Sequence, residues 1–145
     1  MILVDANLLV FAATKCPEHD RARKWLDEQI NEKVRIGLPW ASLTAFLRIV
    51  TNVRMYRGTV ASIDEAWERV ESWLGYANVW VPAPTERHPH FFKQMLKATG
   101  GGGNLVPDAH LAALAVEHGL VLCSADSDFA RFPGLRWTNP IAGGH

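Results

Sequence analysis

Two kinds of apolar block alternate along the chain. Short unbroken runs stand at "MILV" (1–4), "VRIGLP" (34–39), "NVWVPAP" (78–84), "LVLCSAD" (120–126) and "LRWTNP" (135–140). Runs of this length read as short strands, and the strongest of them, 1–4 and 120–126, as strands buried on both faces in a parallel sheet. The segment 135–140 reads as a last edge strand. Between them lie stretches with apolar residues at helical spacing. In 18–33, Ala22, Trp25, Leu26 and Ile30 fall on one side with charges between them, and Asp20 is the expected N-cap. The segment 40–53 reads as a buried helix and 62–75 as an amphipathic one. There Ser62 and Glu65 match a capping box, and Gly75 is placed to end the helix. A helix with proline in its first turn is expected over 85–100. Another is expected over 107–119, from Pro107 to Gly119. The glycine run 100–103 breaks the chain between these two. Strands alternating with helices predict an α/β fold around a mainly parallel sheet.

The pattern has one discordant position. Asp5 interrupts the most apolar opening, "MILVDANLLVFAA". A buried carboxylate costs several kcal/mol unless it is paired, hydrogen-bonded or bound to a metal. Asp5 therefore either caps the turn after the first strand or stands at the mouth of a site. Other acids suggest which. Asp108 opens the helix after the glycine run, and Asp126 and Asp128 follow the 120–126 strand. Ligand sites of open parallel sheets lie at the carboxyl ends of the strands, where Asp5 and Asp126 are expected. Asp126 and Asp128, two apart, would share a face in extended chain. Each has an ordinary explanation alone: a cap, a first-turn acid favoured by the helix dipole, an Asx-turn. Together they point to a site for a hard divalent cation, which relieves the mutual repulsion of carboxylates and prefers oxygen ligands. Mg²⁺ or Mn²⁺ among converging acids implies metal-dependent phosphodiester hydrolysis.

Composition narrows this reading. The chain has 145 residues, 48% of them hydrophobic, and zero formal net charge. The length suits a single domain, 1–145, with a real core. Neutrality argues against a strongly basic, non-specific nucleic-acid binder but leaves room for a local basic patch. Cys16 and Cys123 are far apart, which argues against a disulfide framework or a zinc site and fits a reducing compartment. The opening lacks a basic n-region, and no apolar run reaches about 18 residues. A cytoplasmic protein with no membrane span is expected.

The stretches "ILVDANLLVFA", "LPWASLTAFLRIVTN", "GNLVPDAHLAALAVEHG" and "LCSADSDFARFPGLRWTNP", in this order over nearly the whole chain, resemble a PIN-domain ribonuclease. The resemblance is to a VapC-type toxin of a type II toxin–antitoxin system. The wording of "FLRIVTN" and "FPGLRWTNP" resembles a subgroup abundant in mycobacteria. The resemblance implies a PIN-like three-layer α/β/α fold and a metal-dependent endoribonuclease using Mg²⁺ or Mn²⁺. It also implies a homodimer, a structured RNA target such as tRNA or rRNA, and neutralisation by a VapB-type antitoxin. It assigns Asp5, Asp108 and Asp126 to the metal and Asp128 to a further acidic position of the catalytic group. Asn7 matches a polar position beside the first acid, and Ser124 the hydroxyl that orients it.

One departure stands out. Most members carry a glutamate in the third helix, and the matching position here is Phe46. Residues 33–63 contain no Asp or Glu, yet hold Lys33, Arg35, Arg48, Arg54 and Arg57. These cations offer an RNA-backbone contact, foremost Arg54 and Arg57 and then Arg48. The alternative function is a catalytically weak PIN domain acting as an RNA-binding or antitoxin-binding module. A receiver domain fits poorly, because "VWVPAP" carries no acceptor acid, whereas a small-molecule phosphatase stays open as another acidic-pocket α/β alternative.

Remaining signals are read as structural. The glycine run lacks the Lys-Ser or Lys-Thr of a phosphate loop. His88 and His90 have no further ligands at metal spacing, and His110 faces away from Asp108. Most of the six tryptophans are expected in the core or at interfaces, with stacking on RNA bases the alternative for some. The helices bearing Trp67 and Trp73, or Phe91 and Phe92, would offer a groove to an antitoxin helix.

Overall fold

A computed structural model describes residues 1–52 and 61–143. Arg54 and Arg57 lie outside the described residues. Five short strands form one sheet: β1 (Ile2–Val4), β2 (Ile36–Gly37), β3 (Val79–Trp80), β4 (Val121–Cys123) and β5 (Trp137–Thr138). Their order is β3-β2-β1-β4-β5, and every pairing is parallel. The chain builds outward from β1 on one side, then returns to build outward on the other. The switch of direction falls between β1 and β4, where open parallel sheets place their ligands.

The helices are α1 (Ala6–Ala13), α2 (His19–Asn31), α3 (Trp40–Val50), α4 (Ile63–Leu74), α5 (His88–Ala98) and α6 (Val106–His118). They cover both faces. Val4 and Cys123 pack with residues of α1 to α4. Leu3 and Leu122, pointing the other way, pack with α5 and α6. Alternation along β1 and β4 thus divides the apolar interior into two cores, giving the α/β/α layering. Space at the middle of the sheet is tight. A Cβ on Gly37 would lie 3.1 Å from the Pro82 side chain and 3.3 Å from the Ile2 carbonyl, so the position admits only glycine without a shift.

Local chemistry explains most boundaries. The Ser62–Glu65 capping box forms in both directions, and Gly119 ends α6 in the left-handed region at φ 68°. Pro89 and Pro107 occupy the first turns of α5 and α6. Three expectations need correction. Asp20 lies in the first turn of α2, while Glu18 is its N-cap and makes no capping bond. The strand in 78–84 shortens to Val79–Trp80. Helix α1 has no counterpart among the expected elements. Five of its eight residues are buried, so it shows no polar face for periodicity to reveal.

Candidate metal centre

Asp5 caps α1 and also bonds to the loop after β4. It leaves β1 and N-caps α1, its Oδ1 accepting from Ala6 N at 2.7 Å. Its Oδ2 accepts from the Ser124 hydroxyl at 2.7 Å. Ser124 follows β4 and is fully buried. Its Oγ also accepts from Asn7 Nδ2 at 3.1 Å and from Asp126 N at 3.0 Å. Asn7 completes the bridge by accepting from Ala125 N through Oδ1 at 3.3 Å. Asn7 therefore braces Ser124, and Ser124 orients Asp5. The Ser124 carbonyl is held in turn by the indole N–H of Trp137 at 3.1 Å. The loop after β4 is fixed by bonds from β1's end, α1 and β5.

The other acids converge on this edge. One carboxylate oxygen each from Asp108, Asp126 and Asp128 lies within 4.8 Å of the others. Asp108 comes from the first turn of α6. Asp126 and Asp128 do not share a face of extended chain as expected. Asp126 caps a 3-10 turn over Ser127–Arg131, its Oδ1 accepting from Asp128 N at 2.9 Å. The turn brings the two carboxylates together instead. Asp5 stands outside this group of three but within its field.

The electrostatics record the crowding. Burial is the main reason the Asp108 carboxyl is pushed up to about 6, with Asp5, Asp126 and Asp128 adding repulsion and Arg131 opposing it. Burial also raises Asp5. Its hydrogen bonds from Ser124 and Ala6 act against that, and Asp126 adds to it. Carboxylates held ionised against such forces are what a dication would relieve. The cluster offers oxygen donors alone, without thiol or imidazole among the described residues. That donor set fits Mg²⁺ or Mn²⁺ rather than a softer metal.

Arg48 is exposed and forms no ion pair among the described residues. Phe46 is 1% exposed and packs edge-on against Trp73 at 4.9 Å. It is a core residue, and so is Trp73, which leaves Trp67 alone exposed of that pair. Phe91 and Phe92 are half-buried against the α5–α6 core. On α3, near the same sheet edge, Ser42 is buried with a hydroxyl that lacks a partner among the described residues. His88 is buried and links Glu117 to His110, at 3.1 Å on each side. This chain joins α5 to α6 as packing. Two residues of the site's surroundings escaped the sequence reading. Arg131 was signalled only by its i,i+3 spacing from Asp128, and nothing in the sequence marked Trp137 as the support of Ser124.

A parallel sheet with carboxylates gathered at its switch point defines a class. The chain belongs to the PIN-domain family, whose model matches residues 2–135. Within it, the chain belongs with the VapC ribonucleases. It is 41% identical to ribonuclease VapC37 of Mycobacterium tuberculosis over 143 residues, covering 98% of this chain and 99% of the relative. It is 37% identical to ribonuclease VapC33 of the same species, covering 97% and 99%. Among solved structures, FitAB bound to a DNA fragment matches with TM-score 0.71 at 23% identity, covering 100% of this chain and 99% of that one. VapBC2 of Rickettsia felis matches with TM-score 0.70 at 18% identity, covering 96% and 98%. These two likenesses are of fold. No helix among the described residues is long and apolar enough to cross a membrane.

Proposed function

We propose that this protein is a VapC-type endoribonuclease toxin that hydrolyses a phosphodiester of structured RNA, such as tRNA or rRNA, with Mg²⁺ or Mn²⁺. The observation that carries the reading is the carboxylate group of Asp108, Asp126 and Asp128 within 4.8 Å, with Asp5 coupled to it at the end of β1. In this reading Asp5, Asp108 and Asp126 hold the ion and Asp128 completes the catalytic group. When bound, the ion supplies an activated water and neutralises charge that develops on the phosphate. The chain's own part is orientation. Each Asp5 oxygen already accepts one hydrogen bond, from Ala6 N or Ser124 Oγ, and keeps a lone pair free to face an ion. Ser124 fixes that direction and Asn7 fixes Ser124. Asp108, with its carboxyl near 6, becomes a fully charged ligand only above that pH unless the ion displaces its proton.

The proposed partners are the RNA, a VapB-type antitoxin and a second copy of the chain, with action in the cytoplasm. A single domain over 1–145 is part of this reading, supported by two cores that share strands of one sheet. Trp40, Ile63 and Trp67 supply exposed apolar surface on α3 and α4 for a partner. A purified-protein assay with total tRNA and Mn²⁺ tests the activity. Wild type is expected to cleave, and Asp5→Ala and Asp108→Ala to lose at least about a hundredfold in rate, as for removal of an essential charge-stabilising group. Cleavage that survives both substitutions rules out the metal-site mechanism. Phe46 in the core, at the position where the family's glutamate is expected, favours the second reading of a weakly catalytic RNA-binding or antitoxin-binding module. RNA binding without cleavage by the wild type would establish it.

A further inference from the structure

Asp128 is already engaged. Arg131, at the end of the Ser127–Arg131 turn, folds back on it. Its Nε donates to the Asp128 carbonyl at 3.2 Å and its Nη2 to Asp128 Oδ1 at 3.4 Å. The positive charge reaches Asp108 as well, opposing the push of the surrounding acids. The turn beneath is anchored. Phe129 and Phe132 are buried, their rings 5.9 Å apart, and Asp126 caps the start. The guanidinium is thus held on the rim of the acid cluster with its side chain 39% exposed.

An ion pair this exposed adds little to stability, so folding does not account for the arrangement. Charge does. Asp5, Asp108, Asp126 and Asp128 together carry up to four negative charges, a divalent ion offsets two, and an RNA phosphodiester brings one more. A cation on the rim lowers the cost of seating that phosphate. A guanidinium presents five donors in a planar fork suited to phosphate oxygens. Its bonds to Asp128 occupy two of the five, and the side chain is partly exposed. We propose that Arg131 is a substrate-contact residue, donating to a non-bridging oxygen of the RNA phosphodiester seated at the carboxylate cluster, with Asp128 positioning it. This rests on the ribonuclease reading above.

The competing account is that Arg131 only screens the acids. The two accounts separate in measurements other than activity. Wild type, Arg131→Ala and Arg131→Lys are compared in Mn²⁺ affinity, read from the free-ion electron paramagnetic signal. They are also compared in binding of a labelled oligoribonucleotide with Ca²⁺ replacing Mn²⁺, at several salt concentrations, and in single-turnover cleavage of total tRNA. The expected result for Arg131→Ala is RNA binding weakened about tenfold, with a salt slope smaller by about one, the signature of one lost phosphate contact. Its Mn²⁺ affinity stays within about threefold and its unfolding temperature within about 2 °C, as for loss of a surface pair. Arg131→Lys keeps the salt slope but restores the affinity only in part, because an ammonium is a point charge. Unchanged RNA affinity and slope in Arg131→Ala overturns the proposal. So does tighter Mn²⁺ binding with cleavage as fast as wild type. If the wild type cleaves no RNA, the ribonuclease reading fails, and the binding comparison still decides the role of Arg131.

Discussion

Asp108 shows how a single carboxyl couples the site to pH. The folded chain holds its proton up to about 6, against an ordinary 3.8. Folding therefore favours the protonated form, and the stability linked to it is present below about 4 and lost as the pH rises through 6. Asp5 is shifted in the same direction. Metal-free protein should melt at progressively lower temperature across this window. Asp108→Asn should flatten that slope, raise the unfolding temperature at pH 7 and abolish cleavage. A steeper slope in the variant would contradict the assignment. Apparent Mn²⁺ affinity should rise through the same window, because the ion competes with the proton. Ser124 acts on the neighbouring acid. Ser124→Ala removes the donor that lowers the Asp5 carboxyl and leaves Asn7 and Asp126 N without their acceptor. The expected cost is about 1–3 kcal/mol together with weaker Mn²⁺ binding at pH 7. Chemical denaturation and metal titration measure the two, and unaltered metal affinity would show that Ser124 orients nothing.

At the scale of elements, legibility tracked polarity. Helix α4 was readable because its Ser62–Glu65 box and its spaced charges are local signals. Helix α6 was framed by Pro107 and Gly119. Helix α1 was invisible because burial on nearly all sides erases the contrast between faces. The places of the acids after β1 and β4 and at the head of α6 were legible. The local geometry of the last pair was not, because the cap made by Asp126 turns a chain that spacing alone would leave extended. Helix α3 tests how far a family pattern can be imposed on this chain. Phe46 lies in the core against Trp73, so Phe46→Glu would bury a charge and open a cavity. The expected outcome is loss of more than about 3 kcal/mol of stability, not a repaired site. A Phe46→Glu protein that folds normally and cleaves faster would show that α3 can be re-registered toward the acids.

For the molecule as a whole, the site lies between two cores. Asp5 and Asp126 follow the two strands at the centre of the sheet, and Asp108 heads a helix that packs on one face only. On the proposed reading, a dication held by all three would tie that helix to both strands. Binding should stabilise the folded state by mass action, about 2.7 kcal/mol when Mn²⁺ is at a hundred times its dissociation constant. The shift in unfolding temperature should be larger at pH 8 than at pH 5, and Asp108→Asn should remove most of it. A shift independent of pH would place the ion elsewhere.

The bond from Ser124 to Asp5 spans 119 positions, and that span sets a timetable. Asp5 is synthesised well before Asp126. β1, destined for the middle of the sheet, waits for β4 before one of its edges is covered. On the proposed reading, a chain cut short before β4 would lack both the neighbour that covers this edge of β1 and the metal ligand Asp126.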